Sequence, residues 1–240
     1  MIKSKIRLFL EHQLSDGNSV VLSRKQANYI FNVMRLNIGD DLRIFNSSDG
    51  EWLSTVQEKS KTSGVLLCLK KLAVSFKPSD IWFIFAPIKK TRTDFIVEKV
   101  TEMGASKIVP VITDHSNTGR ISRDRLQAHA IEAAEQCGTN FVPKVSELKK
   151  LSDILASWSR SRTIWFCDET KQNINNFEMI KTKGPSAILI GPEGGFSDRE
   201  RCSLLAKEFV HSISLGPRIL RADTAAVVAL TLWQLNNGDW

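Results

Sequence analysis

Short apolar stretches separated by turn residues fill the first third of the chain. Several have the length and alternation of strands, and turn signals such as Asp16-Gly17-Asn18 separate them. One helix interrupts them at about Ser23–Leu36, where Ser23 can cap the first turn and apolar residues recur at helical spacing. The predicted strands are Ile6–Leu10, Ser19–Leu22, Asp41–Phe45, Glu51–Gln57 and Val65–Leu69. This pattern predicts a small, mostly β domain.

From Ser79 onward the pattern changes to alternating apolar strands and amphipathic helices. Such alternation is typical of an α/β domain with a mostly parallel sheet covered on both faces. The predicted strands are Ile81–Ala86, Lys107–Thr113, Thr163–Asp168, Ser186–Ile190 and Ser212–Leu215. Because Lys77-Pro78-Ser79 breaks regular structure just before the first of them, we divide the chain into domains 1–74 and 75–240.

Helices are predicted between these strands. The first covers about Arg92–Met103, with a capping box in Thr91-x-x-Asp94 and a stop at Gly104. Two more cover about Ser122–Gln136 and Ser146–Trp158. The apolar run Ala225–Trp233 predicts a last, largely buried helix, capped by Asp223 or Thr224.

Composition narrows the class of protein. The longest apolar runs are far shorter than the roughly 20 residues of a membrane span, so we expect no membrane helix. The first residues hold too few apolar side chains for a secretory signal, which favours the cytoplasm. The four cysteines are widely spaced, without a CxxC pair or a histidine at ligand spacing, so we expect no disulfide framework and no metal site.

Charge gives a weaker indication. The formal net charge is +7 and the pI is near 9.3. A basic balance favours a polyanionic partner such as RNA, although an ordinary solvated surface explains it equally well.

Two glycine-containing loops carry the candidate chemistry. Ser186–Ile190 leads directly into Gly191-Pro-Glu-Gly-Gly-Phe196, and Ser197-Asp-Arg-Glu200 then forms a capping box for a helix. Ligands of open α/β sheets bind beyond the carboxyl ends of the strands, so this loop lies where a site is expected. It matches neither GxxxxGK[ST] nor GxGxxG, which disfavours a phosphate cradle.

The second loop, Gly216-Pro-Arg-Ile-Leu-Arg221, follows the next strand and precedes Ala222-Asp223-Thr224. Two loops at one edge of a sheet, each with charged residues beside glycine, make a coherent ligand site. From the residues alone the ligand stays open.

These motifs resemble those of a known family. Ile190-GPEGGF-Ser197 together with Leu215-GPRILRADTA-Ala226 is similar to the signature of the RsmE family, SPOUT-superfamily methyltransferases that act on N3 of a uridine in 16S ribosomal RNA. Pro87–Asp94, Glu98–Gly104 and Ile131–Gln136 resemble its middle segments, and Asn32–Leu36 with Gly39-Asp40 resembles its PUA-like RNA-binding domain. The resemblance covers nearly the whole chain.

The resemblance implies a PUA-like β-barrel over 1–74 and a SPOUT domain over 75–240, whose C-terminal trefoil knot holds S-adenosylmethionine. It also implies a homodimer, action on the small ribosomal subunit, and knot loops at Phe166–Glu169, Gly191–Phe196 and Leu215–Leu220. The residues expected to bind the cofactor are Phe166, Ile190, Gly191, Glu193, Gly195, Leu215, Gly216, Ile219, Leu220 and Thr224.

Methylation of uracil N3 requires removal of its proton or stabilisation of the charge that spreads to O2 and O4. Arg221 is the first candidate for charge stabilisation and Arg218 the second, while Glu193 or Asp223 could act as base. Phosphate contacts would position the RNA. The candidates for them are Arg7, Lys25, Arg35, Arg43, Lys89, Lys90, Arg92, Arg120 and Arg123.

The chain departs from the family pattern at two positions. Thr139 stands where relatives commonly have Arg, which leaves one substrate or dimer contact in doubt, and Asp223 replaces a usual Glu. Two other functions stay open: a SPOUT enzyme with another target, such as a transfer RNA ribose 2′-hydroxyl, and a non-catalytic RNA-binding assembly factor.

Overall fold

The chain forms two compact units. The computed structural model describes residues 6–170 and 184–240. One unit comprises Met1–Lys77 and Ala134–Val142, and the other comprises Pro78–Ala133 and Pro143–Trp240. The sequence-based boundary at residue 74 lies close to the end of the first segment. The assignment of residues 134–142 to the second domain differs from the structure, because their contacts lie within the first unit.

The first unit is built on one five-stranded sheet. Its strands are β1 (Arg7–Phe9), β2 (Ser19–Val21), β3 (Asp41–Asn46), β4 (Gly50–Lys59) and β5 (Gly64–Ala73), in the order β1-β3-β4-β5-β2. The helix α1 (Arg24–Asn28) continues into a π-helical turn at Tyr29–Val33. The predicted cap is confirmed, because the Ser23 side chain accepts a hydrogen bond from the Gln26 amide and the Gln26 side chain bonds back. Its core is apolar.

Arg7 joins the two segments of this unit. Its guanidinium donates to the carbonyl oxygens of Ala134 at 2.7 Å and Thr139 at 2.9 Å, and pairs with Glu51 at 2.9 Å. The side chain is only 8% exposed and lies over the ring of Phe45, 4.3 Å from its centre. Each of these acceptors is distant from Arg7 in sequence, so residues 134–142 complete the unit.

The second unit contains a parallel sheet of seven strands. They are β6 (Ile81–Phe85), β7 (Lys107–Ile112), β8 (Lys144–Val145), β9 (Lys149–Lys150), β10 (Thr163–Cys167), β11 (Ser186–Ile190) and β12 (Val210–Ile213). Their order is β12-β10-β11-β6-β7-β8, with β9 also paired to β7. The central strands are buried along nearly their whole length, as expected when both faces of a parallel sheet are covered. The helices are α2 (Lys90–Glu102), α3 (Arg123–Cys137), α4 (Leu151–Ala156), α5 (Asp198–Leu205) and α6 (Ala222–Asn237). The last four residues of α3, from Ala134 on, belong to the first unit.

Three local predictions were wrong. α2 begins at Lys90 without a side-chain cap, because Asp94 instead pairs with Arg125 of α3. α4 begins only at Leu151, because the two residues before it form β9 beside β7. α6 begins at Ala222, so Asp223 lies in its first turn and does not cap it. The trefoil knot stays a prediction.

Candidate functional site

A cavity of about 620 Å³ lies beyond the carboxyl ends of β10, β11 and β12. The segments that follow these strands supply its walls, and β10 lies between β11 and β12 in the sheet. The glycine loops therefore meet at one edge of the sheet, as predicted.

The loop of residues 191–196 is shaped by close contacts at its glycines. Gly195 has φ +66°, and a Cβ there would lie 2.0 Å from Oε1 of Glu169. A Cβ on Gly191 would lie 2.6 Å from the ring of Phe196. That ring packs edge-on against Phe166 at a centroid distance of 5.0 Å. The glycines thus let the backbone lie directly against neighbouring side chains.

Asp114 fixes the far end of this loop. Ser197 caps α5 and donates its hydroxyl to Asp114 at 2.6 Å, while Glu200 accepts from the Asp114 amide at 2.9 Å. The Ser197 hydrogen bond, reinforced by Arg199, lowers the pKa of Asp114. The predicted capping box is therefore confirmed, and it also links the loop to the residues that follow β7.

The segment after β10 contributes acidic groups. Asp168 is 3% exposed, pairs with Arg201 of α5 at 2.5 Å, and accepts from the Thr170 amide at 3.1 Å. Glu169 also lines the cavity. Burial raises the pKa of the Cys167 thiol, so this cavity residue stays protonated and is not a thiolate nucleophile.

The loop after β12 is open and largely apolar. Gly216 has φ +118°, and its amide is bonded to the Ser214 hydroxyl at 3.3 Å. Ile219 is 83% exposed although it lines the cavity, whereas Leu220 is half-buried. Covering such an exposed apolar side chain with a ligand or another molecule removes its surface from water, which favours binding.

These walls fit S-adenosylmethionine. Apolar side chains and loop backbone suit an adenine ring, and two cavity carboxylates, Glu169 and Glu193, suit a ligand with positive charge and hydroxyl groups. Arg218 is the cation among the lining residues that could meet a carboxylate.

The structure brings together most of the residues predicted to bind the cofactor. Phe166 lies in the core beneath the cavity and Thr224 is exposed outside its wall, so neither lines it. The cavity is lined by Ile190, Gly191, Glu193, Gly195, Leu215, Gly216, Ile219 and Leu220 as predicted. Asp168, Pro192, Ser214, Ala222 and Ala225 also line it and were not among the predicted contacts. The sequence does carry a signal for Asp168 and Glu169, because these two acidic residues directly follow the buried strand β10.

The catalytic candidates differ in their surroundings. Arg221 is exposed, and its backbone caps α6 next to the cavity residue Ala222. Glu193 is exposed on the cavity wall. Asp223 pairs with Arg92 at 3.2 Å, and its other oxygen accepts from the Thr224 amide at 2.9 Å.

The predicted RNA contacts divide into free and engaged side chains. The Arg7 guanidinium is engaged inside the first unit by Glu51 and by the carbonyl oxygens of Ala134 and Thr139, so it is not free for a phosphate. Arg43 pairs with Glu51 at 3.2 Å, Arg92 with Asp223 at 3.2 Å and Arg123 with Asp124 at 2.9 Å, so these three are partly engaged. Lys25, Arg35, Lys89, Lys90 and Arg120 are exposed.

Two family profiles match the chain. One, the RNA methyltransferase domain, matches residues 75–234, and the other, the RNA methyltransferase PUA domain, matches residues 22–66. The ribosomal RNA small subunit methyltransferase E of Rickettsia conorii is 28% identical over 228 residues, with 93% of each chain covered. The protein of that name from Buchnera aphidicola subsp. Acyrthosiphon pisum is 30% identical, covering 98% of this chain and 94% of the relative.

Solved structures share the whole fold. A methyltransferase structure from Legionella pneumophila, in complex with the cofactor SAM, has a TM-score of 0.88 at 26% identity, covering 98% of this chain and 99% of that chain. The small subunit methyltransferase E of Neisseria gonorrhoeae, bound to S-adenosyl methionine, has a TM-score of 0.84 at 24% identity, with 98% and 99% covered. At 24% identity, the likeness to the Neisseria protein is evidence for a shared fold only. In the parts of the chain that the structure describes, no helix is long and apolar enough to cross a membrane.

Proposed function

Since the chain belongs to the RsmE family of RNA methyltransferases, we propose that it transfers a methyl group from S-adenosylmethionine to N3 of one uridine in the 16S RNA of the small ribosomal subunit. The observation that carries the proposal is the cavity formed after β10, β11 and β12. Its walls fit the cofactor that the Legionella protein of the same fold contains.

The cofactor supplies a methyl group activated for in-line displacement, so this chain has to bind and orient the reactants. The apolar loop residues Leu215 and Leu220 would hold the adenine end. Glu169 and Glu193 would favour the positive charge of the sulfonium end, because opposite charges attract strongly in a partly enclosed cleft. Gly195 keeps the backbone close to Glu169 and so keeps this wall in place.

The target nitrogen must lose its proton. Both carboxylate oxygens of Asp223 are engaged, one by Arg92 and one by the Thr224 amide. Glu193 has its carboxylate on the cavity wall, so we assign the role of base to Glu193 and a positioning role to Asp223. Arg221 lies at the start of α6, where its charge would stabilise the anion that develops on the uracil oxygens.

RNA positioning completes the proposal. The exposed Lys25 and Arg35 in the first unit, and Lys89, Lys90 and Arg120 in the second, would contact phosphates. We also propose that the protein works as a homodimer, as the family resemblance implies, and that it acts in the cytoplasm.

Arg221→Ala tests the catalytic assignment. We expect the variant to bind S-adenosylmethionine with normal affinity in calorimetry and to lose most methyl transfer to small subunits. Arg160→Ala, which changes an exposed arginine with no predicted role, is the control and should keep both properties. Lost cofactor affinity or near-normal turnover of Arg221→Ala would contradict the assignment.

The target is tested in cells. Mass spectrometry of RNA from cells without this protein should reveal one missing base methyl in 16S RNA, restored by the wild-type chain. A missing ribose methyl in transfer RNA would instead support another SPOUT activity. No missing methyl, together with no binding of S-adenosylmethionine in calorimetry, would support a non-catalytic assembly factor.

A further inference from the structure

A second cavity, with an empty volume of about 1,320 Å³, lies in the same unit as the cofactor cavity. It is lined by residues at the beginning of β6 and β7 and by residues of β8 and β9, whereas the cofactor cavity lies beyond the carboxyl ends of the strands. A five-residue strand such as β10 is about 15 Å long, which sets the approximate separation of the two ends of the sheet.

Positive charge is concentrated in this cavity. Three lysines line it, Lys107, Lys144 and Lys149, which we call the lysine patch. Lys107 and Lys144 are register partners on the adjacent strands β7 and β8. Like charges on neighbouring strands repel each other. Within the described residues, no carboxylate forms an ion pair with any of the three.

The two arginines of the cavity do not add to the free charge. Arg123 pairs with Asp124 at 2.9 Å and with Glu147, the carboxylate that lines the same cavity, at 3.8 Å. Arg162 pairs with Asp80 at 2.7 Å and donates to the Ser186 carbonyl at 3.0 Å. Burial, together with repulsion from Lys144, Arg162 and Lys149, lowers the pKa of Lys107. The lysine patch therefore carries uncompensated charge, and an anion bound there would relieve its repulsion.

The aromatic residues of the cavity indicate which anion fits. The ring of Trp82 has the Lys107 ammonium 3.9 Å and the Arg162 guanidinium 4.0 Å from its centre. Trp158 meets the same ring edge-on at 5.6 Å. Two cations and a second indole thus occupy the surroundings of the Trp82 ring, which is not offered to a nucleobase for stacking. The cavity therefore suits phosphate groups, and its aromatic residues are not placed to recognise bases.

We propose that the lysine patch is a second contact of this protein with RNA, one that binds backbone phosphates of the 16S RNA away from the methylated nucleotide. This inference rests on the proposed function for the identity of the RNA. Lys107 is held over Trp82, while Lys144 and Lys149 are exposed and can reach a phosphate at the rim. The contact would add affinity without sequence preference.

The test compares two double variants with the same loss of charge. Lys144→Gln/Lys149→Gln removes two exposed lysines of the patch, and Lys99→Gln/Lys207→Gln removes two lysines of the same unit elsewhere. Binding to protein-free 16S RNA and to small subunits is measured from about 0.05 to 0.3 M salt. If each patch lysine neutralises one phosphate, the patch variant loses roughly 25- to 60-fold in affinity at about 0.1 M salt and its salt slope falls by about 1.5. The control changes by less than about threefold.

Other results would overturn the inference. Equal salt slopes for the patch variant and the wild type would show that no phosphate is bound there. A loss seen with intact subunits and absent with protein-free RNA would assign the patch to a ribosomal protein. The melting temperature of the patch variant should stay the same or rise, because like-charge repulsion is removed, and a clear fall would indicate a structural role. Calorimetry with S-adenosylmethionine should be unchanged for both variants, and failure of the wild type in that assay would count against the proposed function alone.

Discussion

Gly195→Ala separates backbone strain from steric contact at the cofactor cavity. Gly195 has φ +66°, a conformation that costs an L-residue roughly 1–2 kcal/mol. For a chain of this size, such a loss lowers the melting temperature by about 2–8 °C. The new methyl would also lie 2.0 Å from the Glu169 carboxylate, so that side chain must move. Since Glu169 lines the cavity, we expect weaker binding of S-adenosylmethionine as well.

Gly17→Ala is the matched control. Gly17 has φ +72°, and no atom lies within 4 Å of the position of its Cβ. Its substitution should therefore cost the same backbone strain and leave cofactor binding unchanged. The double variant Gly195→Ala/Glu169→Ala removes the contact, so a double-mutant cycle reports it as a coupling energy of about 0.5–3 kcal/mol.

Thermal unfolding and calorimetry measure the two effects. Gly195→Ala should be less stable than Gly17→Ala unless Glu169 moves freely, and only Gly195→Ala should bind the cofactor more weakly. If Gly195→Ala binds S-adenosylmethionine as the wild type does, and its coupling to Glu169→Ala is zero, the close approach of loop and carboxylate has no role in the site.

Three further predictions concern groups outside the direct cofactor contacts. Arg7→Gln should lower the free energy of unfolding by about 3 kcal/mol in denaturant titrations, since it leaves buried Glu51 with Arg43 alone, and an unchanged stability would contradict the role given to Arg7. Arg201→Ala should cost a similar amount, about 3 kcal/mol, because Asp168 is 2% exposed in its side chain, and Arg160→Ala is its silent control. The lowered pKa of Asp114 means that its ionised form adds stability above pH 3.8, which is lost as the pH falls further through the folded pKa. Melting curves of Asp114→Asn and the wild type should therefore converge as the pH falls below about 4, and a constant difference would refute this.

Sequence reasoning succeeded where local patterns decide the structure. Apolar runs and helix caps depend on neighbouring residues, so the sequence predicted the buried strands β10 and β11 and the capping box at Ser197. β9 was not readable, since two lysines become a strand only by pairing with β7. The burial of Arg7 had no local signal either, because its carbonyl acceptors, Ala134 and Thr139, lie more than 120 residues away in the chain.

The same limit applies to the cavity. The glycine loops predicted a ligand site. The partners of Asp223 and Asp168 could not be predicted, because Arg92 comes from α2 and Arg201 from α5. Such ion pairs depend on how helices pack, which the spacing of residues within one segment does not specify.

The discontinuous first unit has a consequence for synthesis on the ribosome. Arg7 and the amide of Phe9 find acceptors in residues 134–139, which emerge after residues 78–133 have been translated. At about 5–20 residues per second, the N-terminal sheet waits several seconds for its last segment. During that interval part of the second unit is already outside the exit tunnel. The two units therefore cannot fold strictly one after the other. A fragment ending near residue 74 would lack the carbonyl groups that accept hydrogen bonds from Arg7.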